Sequence, residues 1–198
     1  MATTKKKSPA KTKAPKTKAA PAAKATAAKA PAAKKAPPKT SPAPTDGQKA
    51  PAFSLVGTDG KTHSLEGYAG KNVVLYFYPK DDTPGCTTQA CGFRDNIFAF
   101  NKEGAVILGI SVDDVASHKA FAEKHGLPFT LLADADKSVA KSYGVLKTYM
   151  GVMEMARRDT FIVDPQGRIA KHYESVNPEG HSKVVLDDIK ALKAQSKG

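Results

Sequence analysis

The sequence predicts an α/β domain with a mixed central sheet and helices on both of its faces. Three observations carry that prediction. Short apolar runs rich in β-formers alternate with stretches whose apolar residues recur at helical spacing, in the order strand, helix, strand, helix, strand. Two further β-rich runs flank Asp164-Pro165-Gln166-Gly167, a turn signal that makes them a hairpin ahead of a last helix. The first 45 residues show neither period and stand apart from the folded part.

Taken in order, residues 1–45 are a Lys-Ala-Pro-Thr mixture with eight of the chain's 14 prolines and no aromatic or branched aliphatic residue. Such a composition cannot bury enough apolar surface to offset chain entropy. Residues 1–47 are therefore expected to be a disordered basic tail, and residues 48–198 a single domain that opens on Ala50-Pro51-Ala52-Phe53. Val73 to Tyr78 is a continuous apolar run stopped by Pro79, as in a strand buried on both faces. A helix is expected from about Thr87 to Lys102, with Phe93, Ile97 and Phe100 on one face. Val106 to Ile110 gives the second strand, and a helix from about Ser117 to His125 follows, with Ser117 as its N-cap. Phe129 to Leu132 reads as the third strand and Ser138 to Tyr143 as a short helix. The hairpin pairs Thr160–Val163 with Ile169–Tyr173, and the last helix runs from about Ser182 to Ala194.

Charge is distributed just as unevenly. Residues 1–45 hold 12 lysines, no arginine and no acid, so the whole formal net charge of +12 sits there. The rest of the chain carries 31 − 12 = 19 basic residues against 19 acidic ones. The body thus gives no electrostatic reason to bind a polyanion, whereas the tail gives a strong one. No window approaches the roughly 18 apolar residues of a membrane span. The N-terminus lacks the apolar core of a secretory leader, so the chain reads as intracellular. Two cysteines six positions apart, counted inclusively, do not make a disulfide scaffold, because so small a loop adds little stability. If Cys86 and Cys91 pair, the reason is chemistry.

Cys86 follows a strand and a Pro84-Gly85 turn and sits where the next helix starts. Unpaired amides and the helix dipole favour an anion there, and the thiolate is the nucleophilic form of cysteine. A lone cysteine is more often an inert, buried small hydrophobe; the coincidence of strand, turn and helix start favours the reactive reading. Cys91 lies five residues on in the same helix. Five residues advance about 7.5 Å and rotate about 500°, leaving the side chains about 140° apart. A disulfide needs converging Cβ vectors and Cα atoms within about 7 Å. Oxidation of this pair therefore requires the first turns of the helix to unwind.

Pro79-Lys80-Asp81-Asp82-Thr83-Pro84-Gly85-Cys86 matches the peroxiredoxin pattern of a proline, three residues, a threonine, two residues and the peroxidatic cysteine. The continuation Thr87 to Asp95 resembles the peroxiredoxin Q subfamily, also called bacterioferritin comigratory protein, and the likeness spans roughly residues 48–195. The resemblance implies a thioredoxin-like fold and a thiol peroxidase that needs no metal or cofactor. It makes Cys86 the attacking thiolate and Cys91 the resolving partner. Thr83, the Cys86 N–H and an arginine from a distant strand would be the groups facing the peroxide, with Pro79 shielding the site. Arg158, ahead of Thr160-Phe161-Ile162-Val163-Asp164, fits that arginine; strand alternation turns Arg157 the other way, to the surface. The Cys86–Cys91 disulfide would be recycled by thioredoxin. A resolving cysteine in the same helix permits a monomer.

Other residues read more plainly. The five histidines, His63, His118, His125, His172 and His181, fall on expected loops and element ends, and none lies at metal-ligand spacing from the cysteines. Asp81 and Asp82 read as solvated loop acids, Arg94 and Asp95 as surface or helix-packing ion pairs (the family resemblance would let Arg94 support the site), and Met150, Met153 and Met155 as packing or loop. The lysine tail supports an alternative reading as a non-specific DNA or RNA anchor, like the tail of a linker histone, which would add a nucleoid or nuclear address to a cytoplasmic one.

Overall fold

The computed structural model describes residues 42–195, so the tail expectation for residues 1–41 lies outside the described residues. Residues 43–47 were placed in the tail, yet Ala43 packs on the core, Gly47 N–H donates to the Ile169 carbonyl at 2.7 Å and the Asp46 carboxylate accepts from His172 N–H. Among the described residues no helix is long and apolar enough to cross a membrane.

The strands are β1 (Ser54–Gly57), β2 (Thr62–Ser64), β3 (Asn72–Phe77), β4 (Ala105–Ser111), β5 (Thr130–Ala133), β6 (Leu146–Tyr149), β7 (Met153–Ala156), β8 (Thr160–Val163) and β9 (Ile169–Tyr173). The helices are α1 (Pro84–Asp95), α2 (Ile97–Lys102), α3 (Val115–His125), α4 (Ser138–Ser142) and α5 (His181–Gln195). Seven strands form one sheet in the order β2-β1-β5-β4-β3-β8-β9. β3, β4 and β5 run parallel, while β8, β9, β1 and β2 pair antiparallel, which is the mixed sheet expected.

Alternation along β3 builds both cores. Val73, Leu75 and Phe77 enter one cluster with Val139, Ala140 and Tyr143 from the α4 region. Val74 and Tyr76, with Tyr78 just beyond the strand, enter the other with Phe93 of α1, Phe100 of α2, Phe121 of α3 and Ile189 of α5. Burial on both faces explains why this strand reads as an unbroken apolar run.

Several expectations need correction. The helix expected from Thr87 to Lys102 is two helices: Asn96 turns its side-chain amide back onto the Gly92 carbonyl at 2.8 Å and breaks the ladder. The N-cap of α3 is Asp114, whose carboxylate accepts from Ser117 N–H at 2.8 Å, and not Ser117. The β1–β2 and β6–β7 hairpins were not anticipated. Their strands are only three or four residues long: β1 alternates exposed and buried positions over a run too short to stand out, and β2, β6 and β7 bury little.

Candidate active site

The chain leaves β3 through Tyr78 and Pro79 and enters α1 at Pro84, at the carboxyl ends of the parallel strands, where open α/β sheets place their sites. Thr83 is the N-cap residue of α1, extended at φ −86° and ψ 150°, and Pro84 takes the first helical position, where a missing N–H costs nothing. Cys86 is therefore the third residue of the helix, its amide ahead of the first α1 hydrogen bond, Thr87 N–H to the Thr83 carbonyl at 2.9 Å. Its side chain is 1% exposed.

Arg158 reaches this sulfur from the segment between β7 and β8. Its Nη2 lies 3.2 Å from Cys86 Sγ, and its Nη1 donates to Gln89 Oε1 at 2.9 Å. Gln89 is one turn beyond Cys86 on the same helix face and is buried, so it fixes the guanidinium plane from below. A Cβ at Gly85 would stand 3.1 Å from Arg158 Nη2 and 3.7 Å from Pro178, so a side chain there would push on the guanidinium beside Cys86. Gln89 and Pro178 were not singled out from the sequence. The three-residue step from Cys86 was the one available signal for Gln89; nothing local announced Pro178.

The other expected residues are placed as follows. The Thr83 hydroxyl donates to the Lys80 carbonyl at 3.1 Å, which commits its proton and leaves its oxygen able to accept. Pro79 lines an open groove of about 330 Å³ with Lys80, Val112, Val152 and Met153. Cys91 is half-buried in the same unbroken α1, and both cysteines are free thiols. Arg94 pairs with Asp95 at 2.8 Å and donates to the His125 carbonyl at 2.7 Å, as helix packing predicts. Met150 and Met153 are exposed on the β6–β7 hairpin.

Three polar readings are overturned. Asp81 is buried: it accepts from Tyr78 Oη and Ser117 Oγ, each at 2.7 Å, and faces His118 Nδ1 at 2.8 Å. Burial pushes its carboxyl up, but these partners outweigh it and hold the group below its ordinary range. His118 is fully buried within α3 rather than at an element end. Arg157 is half-buried rather than fully at the surface. It turns away from Arg158 and clamps the Asp159 carboxylate through two contacts at 2.7 Å, with His172 Nε2 and Ser175 N–H completing the cage. In each case the burial comes from distant chain, which local composition does not reveal.

The chain is similar to known proteins over most of its described residues. Residues 47–172 match the model of the AhpC/TSA family. Peroxiredoxin Bcp of Bacillus subtilis (strain 168) is 44% identical over 153 residues, covering 74% of this chain and 95% of that protein. The chloroplastic peroxiredoxin Q of Populus jackii is 46% identical over 147 residues, covering 74% of this chain and 68% of its own. A solved structure of Xanthomonas campestris bacterioferritin comigratory protein, titled for alkyl peroxide reduction, superposes with a TM-score of 0.68 at 36% identity over 71% of this chain and 92% of its own. Fold, motif and likeness thus converge, with a thioredoxin-like core carrying the site: the chain belongs to the AhpC/TSA family, as a peroxiredoxin of the Bcp or peroxiredoxin Q kind.

Proposed function

We propose that Cys86 is the thiolate with which this thiol peroxidase attacks hydrogen peroxide and organic hydroperoxides, and that Cys91 resolves the product. The observation that carries the reading is the Arg158 guanidinium 3.2 Å from Cys86 Sγ at the start of α1. A fixed cation and helix-start amides meet the charge that develops on the peroxide oxygens. The sulfur attacks the terminal oxygen in line, an S–O bond forms, and the O–O bond breaks. Alkoxide or hydroxide leaves and takes a proton from solvent. The Cys91 thiolate then displaces hydroxide from the Cys86 sulfenic acid to give the disulfide. An external dithiol of the thioredoxin type reduces it through a mixed disulfide, itself becoming oxidised. A monomer suffices, because both cysteines belong to one helix.

Peroxide consumption coupled to thioredoxin and its reductase tests this. Cys86→Ser should be inactive. Cys91→Ser should be oxidised by peroxide once and recycle poorly. Full turnover by Cys86→Ser would refute the assignment.

A second reading concerns the tail alone. Twelve lysines without one acid in residues 1–45, beside a neutral body, support sequence-independent attachment of the peroxidase to nucleic acid. It would direct the activity without altering it.

A further inference from the structure

Asp81 takes no part in the chemistry above, yet it is bound from every side two residues before Thr83. Its carboxylate is held by Tyr78 at the end of β3 and by Ser117 and His118 of α3. His118 is in turn fixed by the Leu132 carbonyl of β5, 3.2 Å from Nε2. The Asp81 N–H donates to Asp113 Oδ2 at 2.9 Å, an oxygen that also accepts from Ser111 Oγ at 2.7 Å.

That N–H belongs to the same peptide unit as the Lys80 carbonyl, the acceptor of the Thr83 hydroxyl at 3.1 Å. A peptide unit is rigid and planar, so fixing its N–H fixes its C=O. The direction of the Lys80 carbonyl sets where the Thr83 proton points, and hence where the hydroxyl lone pairs point. Asp82 between them is held at φ 56°, a region that residues bearing a Cβ rarely adopt. Its exposed carboxylate sits on Lys124 and His125, again from α3, at 2.5 and 2.9 Å.

We propose that Asp81 is a positioning residue of the peroxide site: anchored on α3 and Asp113, it fixes the Lys80–Asp81 peptide plane and so aims the Thr83 hydroxyl at the substrate. A hydroxyl so aimed accepts the O–H of the hydroperoxide and holds the O–O axis in line with Sγ. The proposal rests on the assignment of Cys86 and Thr83 given above.

Two single-turnover rates on full-length reduced protein test it, in a Cys91→Ser background so that Cys86 alone reacts. One is oxidation by hydrogen peroxide; the other is alkylation by iodoacetamide, which needs the thiolate but no oriented acceptor for an O–H. Asp81→Asn should lower the peroxide rate about 30-fold and alkylation less than about 3-fold, since misplacement of a positioning group by an ångström costs on the order of 10²-fold. Asp113→Ala removes the acceptor of the Asp81 N–H from a half-buried loop residue. It should lower the same ratio in the same direction, and it decides the matter if Asp81→Asn does not fold. An unchanged ratio, or a parallel fall of both rates, overturns the proposal. A Cys91→Ser parent that reduces peroxide no faster than a free thiol overturns the Cys86 assignment, and this proposal with it. A fast parent with an unchanged ratio in the variants overturns this proposal alone.

Discussion

Asp159 follows Arg158 in sequence but faces the interior, with no exposed surface. Burial alone would raise its pKa, yet Arg157, His172 and the Ser175 N–H bring it from 3.8 down to about 2. A carboxylate whose folded pKa is depressed contributes stability that is fully present above its unfolded value and is lost as pH falls through the folded one. The contribution is roughly 2 kcal/mol at neutral pH and disappears between about pH 4 and pH 2. Asp159→Asn removes the charge that Arg157 and His172 face, although Arg157 keeps Glu174 at 2.9 Å, and should cost about 2 kcal/mol at pH 7. Urea midpoints of wild type and variant should differ most at neutral pH and converge toward pH 2. A gap independent of pH would mean that the carboxylate charge is not what matters. This cage was invisible in the sequence, where Arg157 and Asp159 look like ordinary surface residues. Arg158 was legible because a strand's two-residue alternation and the Thr-Phe-Ile-Val-Asp run beside it singled out one of two arginines.

At the scale of the element, α1 carries both cysteines and is held along its length. Arg158 grips Cys86 and Gln89, a Cβ at Gly92 would stand 3.2 Å from Ser182 Oγ of α5, and Arg94 is tied to the end of α3. Since an intact helix cannot bring positions 86 and 91 together, the disulfide form should lose helix between Arg158's grip and the Arg94 anchor. Amide exchange on oxidised protein should show lost protection over residues 84–93 and none in β3 or α3, with a matching decrease in far-UV dichroism. An unchanged α1 in protein proven to hold the intramolecular disulfide would refute the expectation. Strand, Pro-Gly and cysteine together announced α1, but its start lies three residues before the expected Thr87: Pro84 and Gly85, read as a turn, are its first two residues. Its break at Asn96 could not be read, because the apolar face of Phe93, Ile97 and Phe100 continues across it. The β6–β7 hairpin escaped notice for the opposite reason: Met150 is 90% exposed, and so little of the hairpin is buried that its sequence is nearly unconstrained.

For the molecule as a whole, the formal charge and the folded body occupy different stretches of chain. Deletion of residues 1–41 leaves the packed residues from Ala43 onward in place, so it should preserve peroxidase activity and stability. Mobility shift on DNA at about 50 mM salt should be strong for the full chain, fall steeply toward 200 mM, and vanish in the deletion. No shift for the full chain at the lower salt would eliminate the nucleic-acid reading. The fold class was legible because β3, β4 and β8 are buried on both faces, while the polar anchors of the site depended on three-dimensional neighbours. One consequence of the early start of the fold concerns self-association. β9 is the last strand of the sheet, and an uncovered last strand invites another chain to add to it. Here Gly47, Gln48 and Lys49 lie along it, taking up the Ile169 carbonyl and N–H and bridging to Arg168. The segment that leads out of the tail therefore also covers the start of one border of the sheet, with the Asp46 carboxylate on His172 N–H further along, which hinders strand addition on that side.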